Sequence, residues 1–237
     1  MRKIVLDLRP VILKMQNPSS KIKWTTDVPP VQDPGSSVQG IPFYDSKNIA
    51  PKCVIGLDRD GVINVDRGTY TFRPEDFIPI PGSLEAMAKL RREGHKIVVI
   101  TNQSGIGKGL YTSADVERVH EHMFQLLGQA GCLSIDGLFY SNTNLRSDIF
   151  AKPNVGMFKR CEDEIKHIKF NKGYFVGDKM SDLKAAHKIG AVPVLVRTGH
   201  GLETEKELDK WTYRDIKRKT KVFDDLAAFV ESISLVK

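Results

Sequence analysis

Two aspartates one residue apart, Asp58 and Asp60, sit in the run LDRDGVIN, directly after a short apolar stretch at residues 53–57. Side chains at i and i+2 of extended chain point the same way. Two like charges so placed repel unless a cation lies between them or one keeps a proton. A hard divalent ion such as Mg²⁺ takes oxygen ligands of this kind. One carboxylate can then attack phosphorus while the other handles the leaving-group proton. The same letters also suit an Asp-Gly turn, so the pair needs support from elsewhere in the chain.

Three further clusters give it. Residues 101–109 read TNQSGIGKG. Thr101, Asn102 and Gln103 bring hydroxyl and amide groups. The glycines let backbone N–H groups approach an anion closely, and Lys108 adds a positive charge. Next comes Lys152, followed by Pro153. A lone lysine is usually surface, but at a site rim it can neutralise the charge of a transferring phosphoryl group. Residues 176–182 read VGDKMSD. Asp178 is the natural third carboxylate for a metal, and Lys179 is a candidate phosphate contact. Asp182, near a helix start, could bind the metal or its waters, or simply accept from backbone N–H groups there.

The elements that must position these clusters follow from periodicity. Apolar runs predict strands at 53–57, 96–100, 137–140, 173–176 and 192–196, with an edge strand near Val222. Helical spacing predicts helices at 83–93, 112–131, 155–168, 181–189 and 224–233, with Thr112 or Ser113 as an N-cap and Gly94 and Gly190 as stops. Strands alternating with helices imply an α/β fold whose parallel sheet is covered on both faces. Ligands in such sheets bind at the carboxyl ends of the strands. The four clusters fall there.

With the clusters in that order, the chain resembles the phosphatases of the haloacid dehalogenase (HAD) superfamily over residues 53–235. Asp58 to Val62 match the first motif, Thr101 the second, Lys152 the third, and Gly177 to Asp182 the fourth. The resemblance implies a three-layer Rossmann-like fold and an aspartyl-phosphate mechanism. Asp58 is then the nucleophile and Asp60 the acid/base. Thr101 and Lys152 hold the phosphate, and Asp178 completes a Mg²⁺ site with Asp58 and the backbone carbonyl of Asp60. The stretches LDRDGVINVD, ITNQSGIGKG, KPNVGMF, VGDKMSDLKAA and VLVRTG are similar to the D-glycero-D-manno-heptose 1,7-bisphosphate phosphatases and the histidinol-phosphate phosphatase domain. Those proteins lack a separate cap domain, and the spans from Asp60 to Thr101 to Lys152 leave little room for one here.

Two departures stand out. The subgroup binds a structural zinc through Cys and His in the loop before the motif-three lysine. Residues 141–151 contain neither, so a tetrahedral site of N and S ligands is not available. Ala151 stands where the subgroup carries a substrate-gripping arginine; Arg146 in the same loop is the candidate replacement. A zinc-free loop and the TNQ-x-GI-x-x-G wording also resemble polynucleotide 3′-phosphatases.

Composition sets the outer bounds. The 237 residues, 41% hydrophobic and 27% charged, read as a globular protein, with no apolar run approaching a membrane span. The net charge of +7 suits phosphorylated metabolites, nucleic acid or an anionic membrane, but because the charge is spread along the chain a mildly basic soluble protein is the preferred reading. Residues 210–221 gather basic side chains around Trp211 and Tyr213, which suits either RNA or a solvated face. Cys53, Cys132 and Cys161 show no metal-ligand spacing; Cys53 and Cys132 are expected to be buried, and a reducing compartment fits best. Cytoplasm is expected, with the mitochondrial matrix as the alternative. Residues 1–50, rich in proline, read as an extension carrying one strand-like stretch at 4–13. It could lie across the domain at 51–237 or bind a protein partner. Three functions follow: a phosphatase of a small sugar phosphate or similar metabolite, a polynucleotide 3′-phosphatase, or a HAD-fold subunit of a larger, RNA-containing assembly.

Overall fold

The structure, a computed structural model, describes residues 53–234 apart from Arg146 and Lys166. The strand at residues 4–13 and the partner-binding role of residues 1–50 lie outside the described residues.

Six strands form one parallel sheet in the order β3-β2-β1-β4-β5-β6. They are β1 (Val54–Leu57), β2 (Lys96–Asn102), β3 (Gly137–Ser141), β4 (Tyr174–Gly177), β5 (Val192–Val196) and β6 (Lys221–Phe223). The helices are α1 (Ser83–Arg92), α2 (Ser104–Gly107), α3 (Ser113–Gln129), α4 (Gly156–Glu164), α5 (Met180–Ile189), α6 (Gly201–Leu208), α7 (Arg214–Lys219) and α8 (Leu226–Ser234).

The period of two along the strands sorts the core into two sides. Ile55, Leu57, Ile97, Val99, Val194 and Val196 pack with side chains of α1, α3 and α8, such as Met87, Met123 and Phe229. Val54, Val98 and Ile100 face the other way, onto Met157 and Phe158 of α4 and Ala185 and Ala186 of α5. Leu195 carries that second side on to Leu183 of α5 and Leu208 of α6. The result is a three-layer α/β fold of Rossmann-like order, with no separate cap domain among the described residues. No helix described is long and apolar enough to cross a membrane.

Boundaries differ from the sequence reading where tertiary contacts decide. β2 runs two residues further than expected, because Thr101 and Asn102 still pair with Tyr140 and Ser141. Thr101 therefore lies in the strand rather than beyond it. α4 ends at Glu164, not at residue 168, and the chain turns so that Ile168 and Phe170 enter the core. α6 and α7 were not anticipated. α6 buries only Gly201, Thr204 and Leu208, and α7 buries nothing, so neither shows a broad apolar stripe. Cys132 is buried as expected, but Cys53 is only half-buried, with Sγ 3.0 Å from His95 Nδ1.

The sheet and both helix layers close among residues 53–234. A variant lacking residues 1–50 is therefore expected to keep a cooperative thermal transition, followed by circular dichroism. Loss of that transition would place the extension in the core.

Candidate active site

The carboxyl ends of β1, β2 and β4 converge on one polar cluster. β1 delivers Asp58, whose N–H donates to Val176 O at 2.9 Å and continues the β1–β4 pairing by one residue. The chain then turns at Gly61, which has a φ of 86°. A side chain there would be strained by that angle and would also meet Asp178 Oδ2 at 2.2 Å. Gly199 approaches the same carboxylate from the loop after β5, where a Cβ would lie 2.3 Å from Asp178 Oδ2. The two glycines let backbone close around Asp178, whose Oδ2 accepts from His200 N at 2.9 Å.

Lys152 is the hub of the cluster. It is 5% exposed. Its Nζ lies 2.9 Å from Asp58 Oδ1 and 2.7 Å from Asp182 Oδ1, and donates to Ile100 O at 2.9 Å. Burial works against its charge, but the Asp182 and Asp58 carboxylates outweigh it and hold the ammonium above its usual range. Asp182 also accepts from Lys179 N at 3.0 Å, which caps α5. Of the alternatives open for Asp182, the backbone contact is present, and the ion pair to Lys152 is added to it.

Asp58, Asp178 and Asp182 are all buried, and each offers an oxygen within 4.8 Å of the others. Burial, with the Asp182 charge adding to it, pushes the Asp58 carboxyl up against the pull of Lys152. Burial pushes Asp178 up to about 8, opposed by Lys179 and reinforced by Asp182 and Asp58. Asp178 Oδ1 is buried with no hydrogen-bond partner. Mutual repulsion and an unpartnered carboxylate oxygen are what a hard cation relieves. The all-oxygen donor set therefore fits Mg²⁺.

Asp60 is built differently. Its carboxylate receives Arg59 Nη2 at 2.9 Å, Asn64 Nδ2 at 2.9 Å and Gln103 Nε2 at 3.1 Å. Burial disfavours its charge, but Arg59 and these hydrogen bonds more than offset that and hold the carboxyl below its usual range. The Asp60 side chain thus stands outside the three-carboxylate group.

The remaining expected residues divide. Thr101 is buried beside the site and accepts from Gln103 Nε2 at 3.2 Å. Asn102 and Gln103 were expected to touch phosphate. Both line the cleft, and Asn102 also clamps the Lys152 backbone, donating to Lys152 O and accepting from Lys152 N, both at 3.0 Å. Gln103 spends its amide on Asp60 and Thr101, and its carbonyl on Tyr111 and Arg59. Lys108 lies further out, donating to Tyr70 OH at 2.8 Å. Lys179 does reach the site: its Nζ is 2.8 Å from Asp66 Oδ2 and 3.9 Å from Asp178 Oδ2. Asp66, Arg59 and His120 were missed in the sequence. Of these, His120 carried a faint signal, since its spacing from Val116 and Met123 puts it on the buried stripe of α3.

The loop between β3 and Lys152 holds its shape without Cys or His. Asp148 Oδ1 accepts from Phe150 N at 2.8 Å, and Asp148 O accepts from Asn154 Nδ2 at 2.8 Å. Ala151, where an arginine was anticipated, is buried at 6% exposure. Arg146 lies outside the described residues. Beside the carboxylates opens a cleft of about 440 Å³, lined by Asp60, Lys179, His200 and the hydroxyl-bearing Thr69, Tyr70 and Tyr111 among others.

A family profile described as "Polynucleotide kinase 3 phosphatase" matches residues 54–223. The D-glycero-beta-D-manno-heptose-1,7-bisphosphate 7-phosphatase of Pseudomonas putida is 37% identical over 177 residues, covering 75% of this chain and 97% of that protein. Among solved structures, the D,D-heptose 1,7-bisphosphate phosphatase of B. bronchiseptica, complexed with magnesium and phosphate, matches with a TM-score of 0.70 at 33% identity, covering 77% of this chain and 98% of that one. The enzyme of the same name from Burkholderia thailandensis gives 0.58 at 33% identity, over 78% and 99% of the two chains.

Proposed function

We propose a specific chemistry on the premise that this chain belongs to the HAD-superfamily phosphatases, in the family that includes the D-glycero-beta-D-manno-heptose-1,7-bisphosphate 7-phosphatases. The chain is a phosphomonoesterase, and its substrate is a small sugar phosphate or similar phosphorylated metabolite. The observation that carries the site assignment is Lys152 bridging Asp58 and Asp182 beside Asp178, whose Oδ1 has no partner.

In this reading Asp58 attacks phosphorus. Its bonds from Arg59 N and Lys152 Nζ both fall on Oδ1, which leaves Oδ2 for the new P–O bond. Lys152 and the Thr101 hydroxyl hold phosphoryl oxygens, and Lys179 adds a second positive charge. Asp60, held ionised by Arg59 and its hydrogen-bond donors, must first take up a proton, which it then gives to the departing alkoxide as the ester P–O bond breaks. It then takes a proton from the water that attacks phosphorus and releases phosphate from Asp58. Asp58, Asp178 and the backbone carbonyl of Asp60 would hold Mg²⁺, with Asp182 behind them. Bound there, the ion supplies positive charge that offsets the phosphoryl oxygens and the carboxylate repulsion.

The cleft supports the substrate class. Its volume of about 440 Å³ and hydroxyl-rich lining suit a polyol phosphate. The test is a panel of sugar phosphates, histidinol phosphate, nucleotides and 3′-phosphorylated oligonucleotides with the purified full chain. A sugar phosphate is expected to give the highest kcat/KM. Higher efficiency on the oligonucleotide would replace this reading with the polynucleotide one. Heptose 1,7-bisphosphate is expected to fall about tenfold to a hundredfold below the best monophosphate, since a charge-assisted arginine contact of about 1.5–3 kcal/mol is missing at Ala151. Chelation with EDTA should abolish activity, and Mg²⁺ should restore it. Elemental analysis should find substoichiometric zinc; a full zinc complement would contradict the loop reading.

A further inference from the structure

We infer that Arg59 and His120 are positioning residues that hold Asp60 in place for proton transfer to the leaving group, an inference that rests on the acid/base reading of Asp60. Arg59 is fully buried although it carries a charge, and among the described residues the one carboxylate its side chain meets is that of Asp60. Its guanidinium forks onto Asp60, with Nε 3.2 Å from Oδ1 and Nη2 2.9 Å from Oδ2. A forked ion pair fixes the plane and rotation of a carboxylate as a point charge does not.

The fork is itself held from behind. Nη2 donates to Thr71 O at 3.1 Å, and Nη1 lies 3.2 Å from His120 Nε2. A guanidinium has only donors, so Nε2 must present its lone pair and His120 is the neutral, Nδ1-protonated tautomer. Burial, reinforced by the Arg59 charge, holds His120 well below the usual histidine range, in agreement with that geometry. His120 comes from the middle of α3, 61 residues along the chain, and is fully buried. Packing alone would be served by an apolar side chain at that position. A histidine there gives the guanidinium an acceptor while leaving its own Nδ1 buried without a hydrogen-bond partner among the described residues, a cost that packing alone does not explain.

Asn64 and Gln103 complete the cradle from the other sides of Asp60. The carboxylate keeps one outlet, into the cleft that it lines. Arg59 and His120 do not reach the cleft lining, so they act through Asp60.

Proton donation matters for an alkoxide leaving group and little for p-nitrophenolate, which leaves unaided. The value of kcat/KM reports the step that forms the aspartyl phosphate. For His120→Leu, kcat/KM on an alkyl phosphate is expected to fall about tenfold more than on p-nitrophenyl phosphate, with His120→Gln recovering most of the loss because its carbonyl can accept from Nη1. Arg59→Lys, which keeps the charge without the fork, should show the same leaving-group dependence and stands in if His120→Leu does not fold. Equal losses on both substrates in the folded variants would overturn the inference. Asp60→Asn separates the two levels. If it shows the leaving-group dependence and the others do not, only the positioning role fails. If Asp60→Asn itself shows none, the acid/base reading fails with it.

Discussion

Replacing Asp58 with Asn is expected to lower turnover by about 10⁴-fold or more while leaving the melting temperature within a few degrees of wild type. The amide keeps the shape of the carboxylate, and its Oδ1 can still accept from Arg59 N and from Lys152, the two contacts that fall on that atom. It cannot form the acyl phosphate. No neighbour is placed to substitute. Asp60 is locked by Arg59, Asn64 and Gln103, Asp182 is tied to Lys152 and Lys179 N, and Asp178 holds His200 N. Stability should hold because the carboxylate is not comfortable where it lies. Burial and the Asp182 charge both oppose its ionisation, and neutralising it removes that repulsion as well as the attraction to Lys152. The measurements are steady-state kinetics and a thermal melt on the same preparation. Retention of a tenth or more of wild-type activity would remove Asp58 from the nucleophile role.

The parts of the site that could be read from the sequence share a property. Asp58, Thr101, Lys152 and Asp178 each stand at the end of an apolar run or in a short polar word beside one, so local pattern locates them. The strands could be read for the same reason, since β2 and β5 are short β-branched runs that no surface segment would carry. What could not be read depends on contacts far along the chain. Arg59 looks like a spacer between two aspartates until α3 brings His120 against it. Asn102 and Gln103 look like anion donors, and only the fold shows that, besides lining the cleft, their amides also reach the Lys152 backbone and Asp60. α6 and α7 escaped notice because short charged helices that bury few residues leave almost no periodic trace.

Lys152→Met should be costly in both currencies, activity and stability, and the two losses should separate. Met matches the length of the stem but offers no charge. Two buried carboxylates, Asp58 and Asp182, then lose the ammonium that lies 2.9 and 2.7 Å from them. Removing one member of a buried ionic cluster costs about 3–5 kcal/mol, because the remaining charges keep their desolvation penalty without their partner. For a domain of this size that corresponds to a fall in melting temperature of roughly 10 °C, measured in chelator so that no added cation compensates. Activity should fall about 10³-fold, since the charge that the proposed mechanism sets against the phosphoryl oxygens is gone. Adding Asp182→Asn should restore part of the stability, because the variant then buries one fewer unpaired carboxylate, and should restore none of the activity. Recovery of turnover in the double variant would mean that Lys152 serves only to neutralise Asp182. A single variant that melts like wild type would mean that the cluster is wetter than its burial implies, and that the ion pairs contribute little to the fold.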